Sequence, residues 1–338
     1  MKVRSVYLIL FLMICLSLLA RVAPSTLTAL PLIPTRLSPA PTAQPPAVIP
    51  QASIQIPAGT IAIAKIDNSP GKPGNKSYIS LIKSDGTELM EITEARRYFW
   101  DSNPAWSPDG TRIAYDSGSG VIPGYGIWMT NADGSGNKKI TTNPINGFWP
   151  TWSPDGTRIA FTNINVSQDD CQIYLVNSDG SGLKKLTYGP YDLFPEWALD
   201  GTIFFIRRQG TSCNDPSGDV FAVKPDRIDL KQITKFGHVS GFGLSPDGKM
   251  IAYHDTETNQ ILVYPLDRSK PPRPIFDVNF STYFVRPSWS LDGKTIAIAA
   301  DGWGIDYGSR LYLVNADGTG SVQVPVGSGV WGPVWKPE

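Results

Sequence analysis

The chain has 338 residues, 41% of them apolar and 18% charged, with 30 basic side chains against 30 acidic ones. That is too apolar and aromatic for a disordered chain and too poor in charge for a coiled coil, and it lacks the net field that would attract nucleic acid. Ten Trp against two His favours packed aromatic positions over chemistry built on histidine. A chain this long buries roughly three quarters of its unfolded surface, so neither a metal nor a disulfide is needed to hold it together.

Lys2 and Arg4 precede an uncharged apolar run from Ser5 to Ala20, which Arg21 closes. A helix of that length, at ~1.5 Å per residue, reaches about 24 Å, short of the ~30 Å hydrocarbon core. The segment 1–21 therefore reads as a signal peptide or signal anchor. The expected location is outside the cytoplasm, periplasmic or extracellular, with membrane attachment if the segment is retained. Residues 22–57 hold nine prolines and a single charge, Arg36. Such a stretch resists helix and ladder alike and favours extended polyproline II, which predicts a semi-rigid tether.

From residue 58 onward one motif recurs. Pro104-Ala105-Trp106-Ser107-Pro108-Asp109-Gly110-Thr111-Arg112-Ile113-Ala114-Tyr115 returns as Pro150-Thr151-Trp152-Ser153-Pro154-Asp155-Gly156-Thr157-Arg158-Ile159-Ala160-Phe161. Shorter copies surround Asp200, Asp247 and Asp292, so the aspartates are spaced 46, 45, 47 and 45 apart. A period in this range marks a propeller or a solenoid. Ser-Pro-Asp-Gly is a turn with a mechanism: Pro fixes φ, Asp suits the next position, and Gly takes the left-handed one. Short β-type runs flank it, and a second hairpin follows, as in Asn131-Ala132-Asp133-Gly134, Asn177-Ser178-Asp179-Gly180 and Asn315-Ala316-Asp317-Gly318, before a fourth run. Four antiparallel strands per ~46 residues make a propeller blade.

The end at Pro333-Val334-Trp335-Lys336-Pro337-Glu338 supplies one first strand only, and Ala58-Gly59-Thr60-Ile61-Ala62-Ile63 begins the three strands it lacks. The prediction is an all-β, six-bladed propeller over 58–338 with four-stranded antiparallel blades. One C-terminal strand and three N-terminal strands close it and remove its open edges. These residues resemble the TolB-type six-bladed propeller of the PD40 (WD40-like) repeat family, whose repeat reads P-x-W-S-P-D-G-x-x-I-A-F. TolB itself carries an α/β domain before its propeller, where this chain has the Pro-rich tether. Related propellers precede the hydrolase domain of prolyl oligopeptidase-like peptidases, but no Gly-x-Ser-x-Gly nucleophile elbow occurs here.

Trp106, Trp152, Trp197, Trp289 and Trp335 recur at one register and are expected as wedges between sheets. Cys171 and Cys213 fall on neighbouring rim loops, and in an exported protein they are expected to pair. His238 and His254, with Glu257 or Asp192, make at most a partial ligand set, so no metal, cofactor or catalytic residue is predicted. The loop-rich rim is the expected binding face. Six residues before each repeat aspartate stand Asn103, Trp149, Phe194, Gly241 and Arg286, with Gly332 in the last copy. Asn103, Trp149, Phe194 and Arg286 form the predicted mouth, extended by Trp100, Trp303 and Tyr307. That mouth suits a sugar stacked on an aromatic ring, or a peptide carboxylate on Arg286. The primary reading is a monomeric, non-catalytic propeller that binds a protein or polysaccharide of the cell envelope. The alternative is a carbohydrate-active lyase or hydrolase using the same rim.

Overall fold

The repeat's turn is held by its own side chains. One carboxylate oxygen of Asp109 accepts from the Ser107 hydroxyl (2.5 Å), the Thr111 hydroxyl (2.8 Å) and the Thr111 N–H (3.1 Å). Gly110 donates its N–H to the Ser107 carbonyl (2.9 Å) and sits at φ +63°, a value glycine adopts without steric cost. Asp155 repeats the set at 2.5, 2.8 and 3.0 Å. These hydrogen bonds, the serine hydroxyl's first, lower both carboxyls to about 2.

The structure is a computed structural model. It describes residues 57–66, 76–94, 99–119, 124–142, 144–165, 168–210, 212–278, 285–300 and 309–337. The signal segment 1–21 and all of the tether but Pro57 lie outside the described residues, as do Trp303 and Tyr307.

The chain opens with β1 (Thr60–Ile66), β2 (Ser77–Lys83) and β3 (Met90–Glu91). Then come four complete blades: β4 (Trp100–Trp106) to β7 (Lys138–Lys139), β8 (Gly147–Trp152) to β11 (Lys184–Lys185), β12 (Asp192–Trp197) to β15 (Lys231–Gln232), and β16 (Val239–Leu244) to β19 (Arg273–Asp277). A fifth runs from β20 (Ser288–Trp289) to β23 (Ser321–Gln323), and β24 (Val330–Trp335) ends the described chain. Every regular element among the described residues is a strand. β24 pairs antiparallel with β1, placing Trp335 opposite Ile61. The sixth blade is therefore β24-β1-β2-β3, assembled from both ends of the domain.

Contacts between inner strands run around the whole ring. Trp152 donates its indole N–H to the Ala105 carbonyl (3.1 Å), and the Trp197 N–H reaches the Thr151 hydroxyl (3.4 Å). The Leu244 N–H reaches the Glu196 carboxylate (2.8 Å), and the Trp289 indole reaches the Gly243 carbonyl (3.0 Å). The Trp335 N–H reaches the Ser288 hydroxyl (3.3 Å), and the Lys336 ammonium lies 5.3 Å from the Trp106 ring and joins the last blade to the first. The five repeat tryptophans are all buried, as wedges between sheets must be. Arg112 stacks on Trp152 at 4.7 Å and Arg158 on Trp197 at 5.2 Å, each reaching the next blade.

Candidate functional site

Three of the inner strands carry a bulge at the predicted mouth positions. Pairing shifts between Ser102 and Ala105, between Phe148 and Thr151, and between Leu193 and Glu196. Asn103, Trp149 and Phe194 sit in those gaps at φ +49°, +52° and +55°. They therefore lie within their strands, because pairing resumes beyond the bulge. A bulge leaves one residue unpaired and redirects its side chain. Trp100 is the first residue of β4, half-buried and opposite Gly118, so it belongs to the blade itself.

Gly332 packs beside Asn103, since a Cβ added to it would lie 3.4 Å from the Asn103 Cα. Gly241 faces the next blade even more closely: an added Cβ would lie 2.2 Å from the Val285 carbonyl oxygen. Only a glycine permits that approach, which seats Arg286 against the preceding blade. The ring order is then Asn103, Trp149, Phe194, Gly241, Arg286, Gly332. Arg286 stands between two glycines and across the axis from Trp149.

Trp149 and Phe194 lie with ring centroids 4.3 Å apart, tilted by 49°. Phe148 continues the run at 5.6 Å from Trp149, and Tyr125 stacks on Phe148 at 4.8 Å. The four rings do not share one exposure. Phe194 is 0% exposed, while Trp149 and Phe148 are half-buried. Phe194 therefore serves as the floor beneath Trp149, and its ring also lies 6.0 Å from the buried Arg208 guanidinium.

Two carboxyl groups absent from the predicted mouth complete it. Asp116, on β5 (Arg112–Gly118), is buried and accepts from the Asn103 amide (2.9 Å), the Ser102 hydroxyl (2.8 Å) and the Trp149 N–H (3.1 Å). The bond from Trp149 crosses between blades and helps hold that residue at its positive φ. Glu196 lies on β12, two residues below Phe194, and is fixed by the Leu244 N–H. Burial pushes both carboxyls up to about 7 against the pull of their hydrogen bonds and of Arg286. Arg286 in turn is lowered by burial and held up by Glu196 and then Asp116. These three groups come from alternate blades and converge on the axis.

One signal in the repeat marks both acids. The position of Asp116 reads Thr162, Ile206, His254, Ala299 and Ala64 in the other blades, and that of Glu196 reads Ala105, Thr151, Gly243, Ser288 and Val334. An ionisable residue where most copies are small or apolar departs from the structural pattern.

The remaining predicted groups fall elsewhere. Cys171 and Cys213 are bonded, with Cα atoms 5.9 Å apart, and Asp169 accepts from the Cys213 N–H (3.2 Å) beside them. His254 is buried between the Ser240 hydroxyl (2.6 Å) and the Asn259 amide oxygen (3.0 Å), and burial lowers its pKa. His238 meets Asp255 at 3.0 Å and Glu257 at 3.7 Å. Asp192 is taken by the Arg207 fork at 2.7 and 2.9 Å. Among the described residues no three His, Cys, Asp or Glu side chains are grouped to hold a metal.

Comparison with known proteins fixes the lineage of this ring. The TolB beta propeller domain (PD40) matches residues 74–270, more than half of the chain. The protein belongs to the TolB β-propeller family. A TolB homologue from Protochlamydia amoebophila (strain UWE25) is 39% identical over 72 residues, which span 20% of this chain and 15% of that relative. The crystal structure of TolB from Acinetobacter baumannii superposes with a TM-score of 0.68 at 21% identity, covering 83% of this chain and 67% of that one. A chain in the crystal structure of the nidogen/laminin complex gives a TM-score of 0.63 at 10% identity, over 82% of this chain and 98% of that one. At those identities the likeness to the two structures is one of fold. In TolB-family terms, Asp116 and Glu196 lie within the matched segment and Arg286 beyond it.

Proposed function

We propose that this TolB-family propeller is an exported, non-catalytic binding protein that holds a protein partner of the cell envelope at the mouth built by Trp149 and Arg286. The observation that carries the reading is the asymmetry of that mouth. The half-buried Trp149, resting on the buried Phe194, stands on one side and a guanidinium between two glycines on the other. Tryptophan and arginine are among the residue types that dominate binding energy at protein interfaces. The Cys171–Cys213 bond supports an oxidising compartment, in line with the N-terminal export segment.

The test is capture of envelope proteins on the immobilised chain, followed by titration of the recovered partner. Trp149→Ala and Arg286→Ala should each weaken binding by about 1–3 kcal/mol, the usual scale of an interface anchor. Thermal melts must first show both variants folded, because Trp149 also rests on Phe194. A partner that binds both variants as tightly as wild type would place the site elsewhere on the propeller.

A further inference from the structure

Arg286 has no direct ion pair or hydrogen bond among the described residues, although Glu196 and Asp116 both act on it electrostatically. The two acids are committed elsewhere. Asp116 is tied by Asn103, Ser102 and the Trp149 N–H, and Glu196 by the Leu244 N–H of the adjoining blade. Neither can move to Arg286 without releasing a bond that joins strands or blades. The guanidinium, with five donors in a rigid fork, therefore stands in a half-buried mouth with countercharge near but not in contact.

We propose that Arg286 receives a carboxylate group of the partner, clasped by the guanidinium fork on the side of the mouth opposite Trp149. This rests on the reading of the mouth as the binding face and deepens it by naming the group bound. A planar fork suits a carboxylate bidentately. A methylammonium-type cation would be repelled by Arg286, and a neutral amide would gain no charge pair.

The neighbouring acids make this occupancy depend on protons. An incoming negative charge disfavours ionised Glu196 and Asp116, which burial already holds up to about 7. Each of them gains a proton more readily once the carboxylate is in place. By linkage, affinity rises as pH falls through that region, by up to about tenfold per pH unit for each proton taken up. Arg286, Glu196 and Asp116 are the charged groups that act on one another here.

Three small probes of differing charge separate the possibilities: acetate, its near-isostere acetamide, and the methylammonium cation, titrated into the 15N-labelled full-length chain. The readout is the Arg286 Nε–Hε resonance, assigned by its loss in Arg286→Gln. Acetate should shift that resonance at pH 6 and bind at least tenfold more weakly at pH 8. Glu196→Gln should keep acetate binding and lessen its pH dependence to the share of Asp116, and Arg286→Lys should weaken it severalfold at both values. Acetate affinity equal at the two pH values, stronger binding of acetamide or methylammonium at pH 6, or no acetate effect at all would each overturn the proposal. Because the probes need no partner, this result stands apart from the capture experiment. A failed capture with pH-dependent acetate binding sinks only the partner reading, and the converse sinks only the carboxylate.

Discussion

Glu196 keeps one backbone hydrogen bond, from Leu244, in a site where burial lifts its carboxyl to about 7 from an ordinary 4.5. A carboxyl that holds its proton more tightly folded than unfolded favours the folded state while protonated in both. That contribution is fully present below pH 4.5 and is lost as pH rises towards 7. Glu196→Gln removes the titration, so its stability relative to wild type should improve by about 1–3 kcal/mol between pH 4.5 and 7.5. Paired thermal melts across that range measure it, and a constant offset would contradict the assigned cause. The other mouth residues were legible from register alone: counting back from each repeat aspartate finds Asn103, Trp149, Phe194 and Arg286. What register cannot show is that Phe194 is buried beneath Trp149, or that Asp116 reaches the Trp149 N–H from the neighbouring blade. Both depend on how one blade leans on the next.

At the level of strands, the Cys171–Cys213 bond links β10 (Asp170–Asn177) to the loop before β14 (Gly218–Val223), across a sequence separation of 42. The loop also leans on Asp169, which accepts from the Ser212 hydroxyl (3.3 Å) and the Cys213 N–H (3.2 Å). Closing a loop of that length removes unfolded-state entropy, so Cys171→Ser with Cys213→Ser should cost roughly 2–4 kcal/mol. The ring should remain intact, because its blade contacts run through the inner strands. Non-reducing alkylation and chemical denaturation of both forms check this, and two labelled thiols in the native protein would dispose of the bond. Blade boundaries were readable because every Asp-Gly turn punctuates the chain at a fixed spacing. The bulges were not, since no residue type demands them: Trp149 at φ +52° is held there by packing and by Asp116, against the ordinary preference of an aromatic residue.

For the molecule as a whole, closure rests on β24. It supplies Trp335 as a buried wedge and covers the edge of β1. Deleting residues 331–338 strips both, and an uncovered strand edge is a template for aggregation. The deletion should abolish cooperative unfolding or lower the melting temperature sharply. A truncated chain melting within a few degrees of the intact one would show that the ring does not depend on this strand. The pairing also imposes an order in time. Ile61 and Trp335 are partners 335 − 61 = 274 residues apart. At about 5–20 residues per second of synthesis, β1 exists for roughly 15–55 s before its mate emerges. Throughout that interval the five other blades can form but the circle cannot lock. A nascent chain of this kind stays openable until β24 has been made.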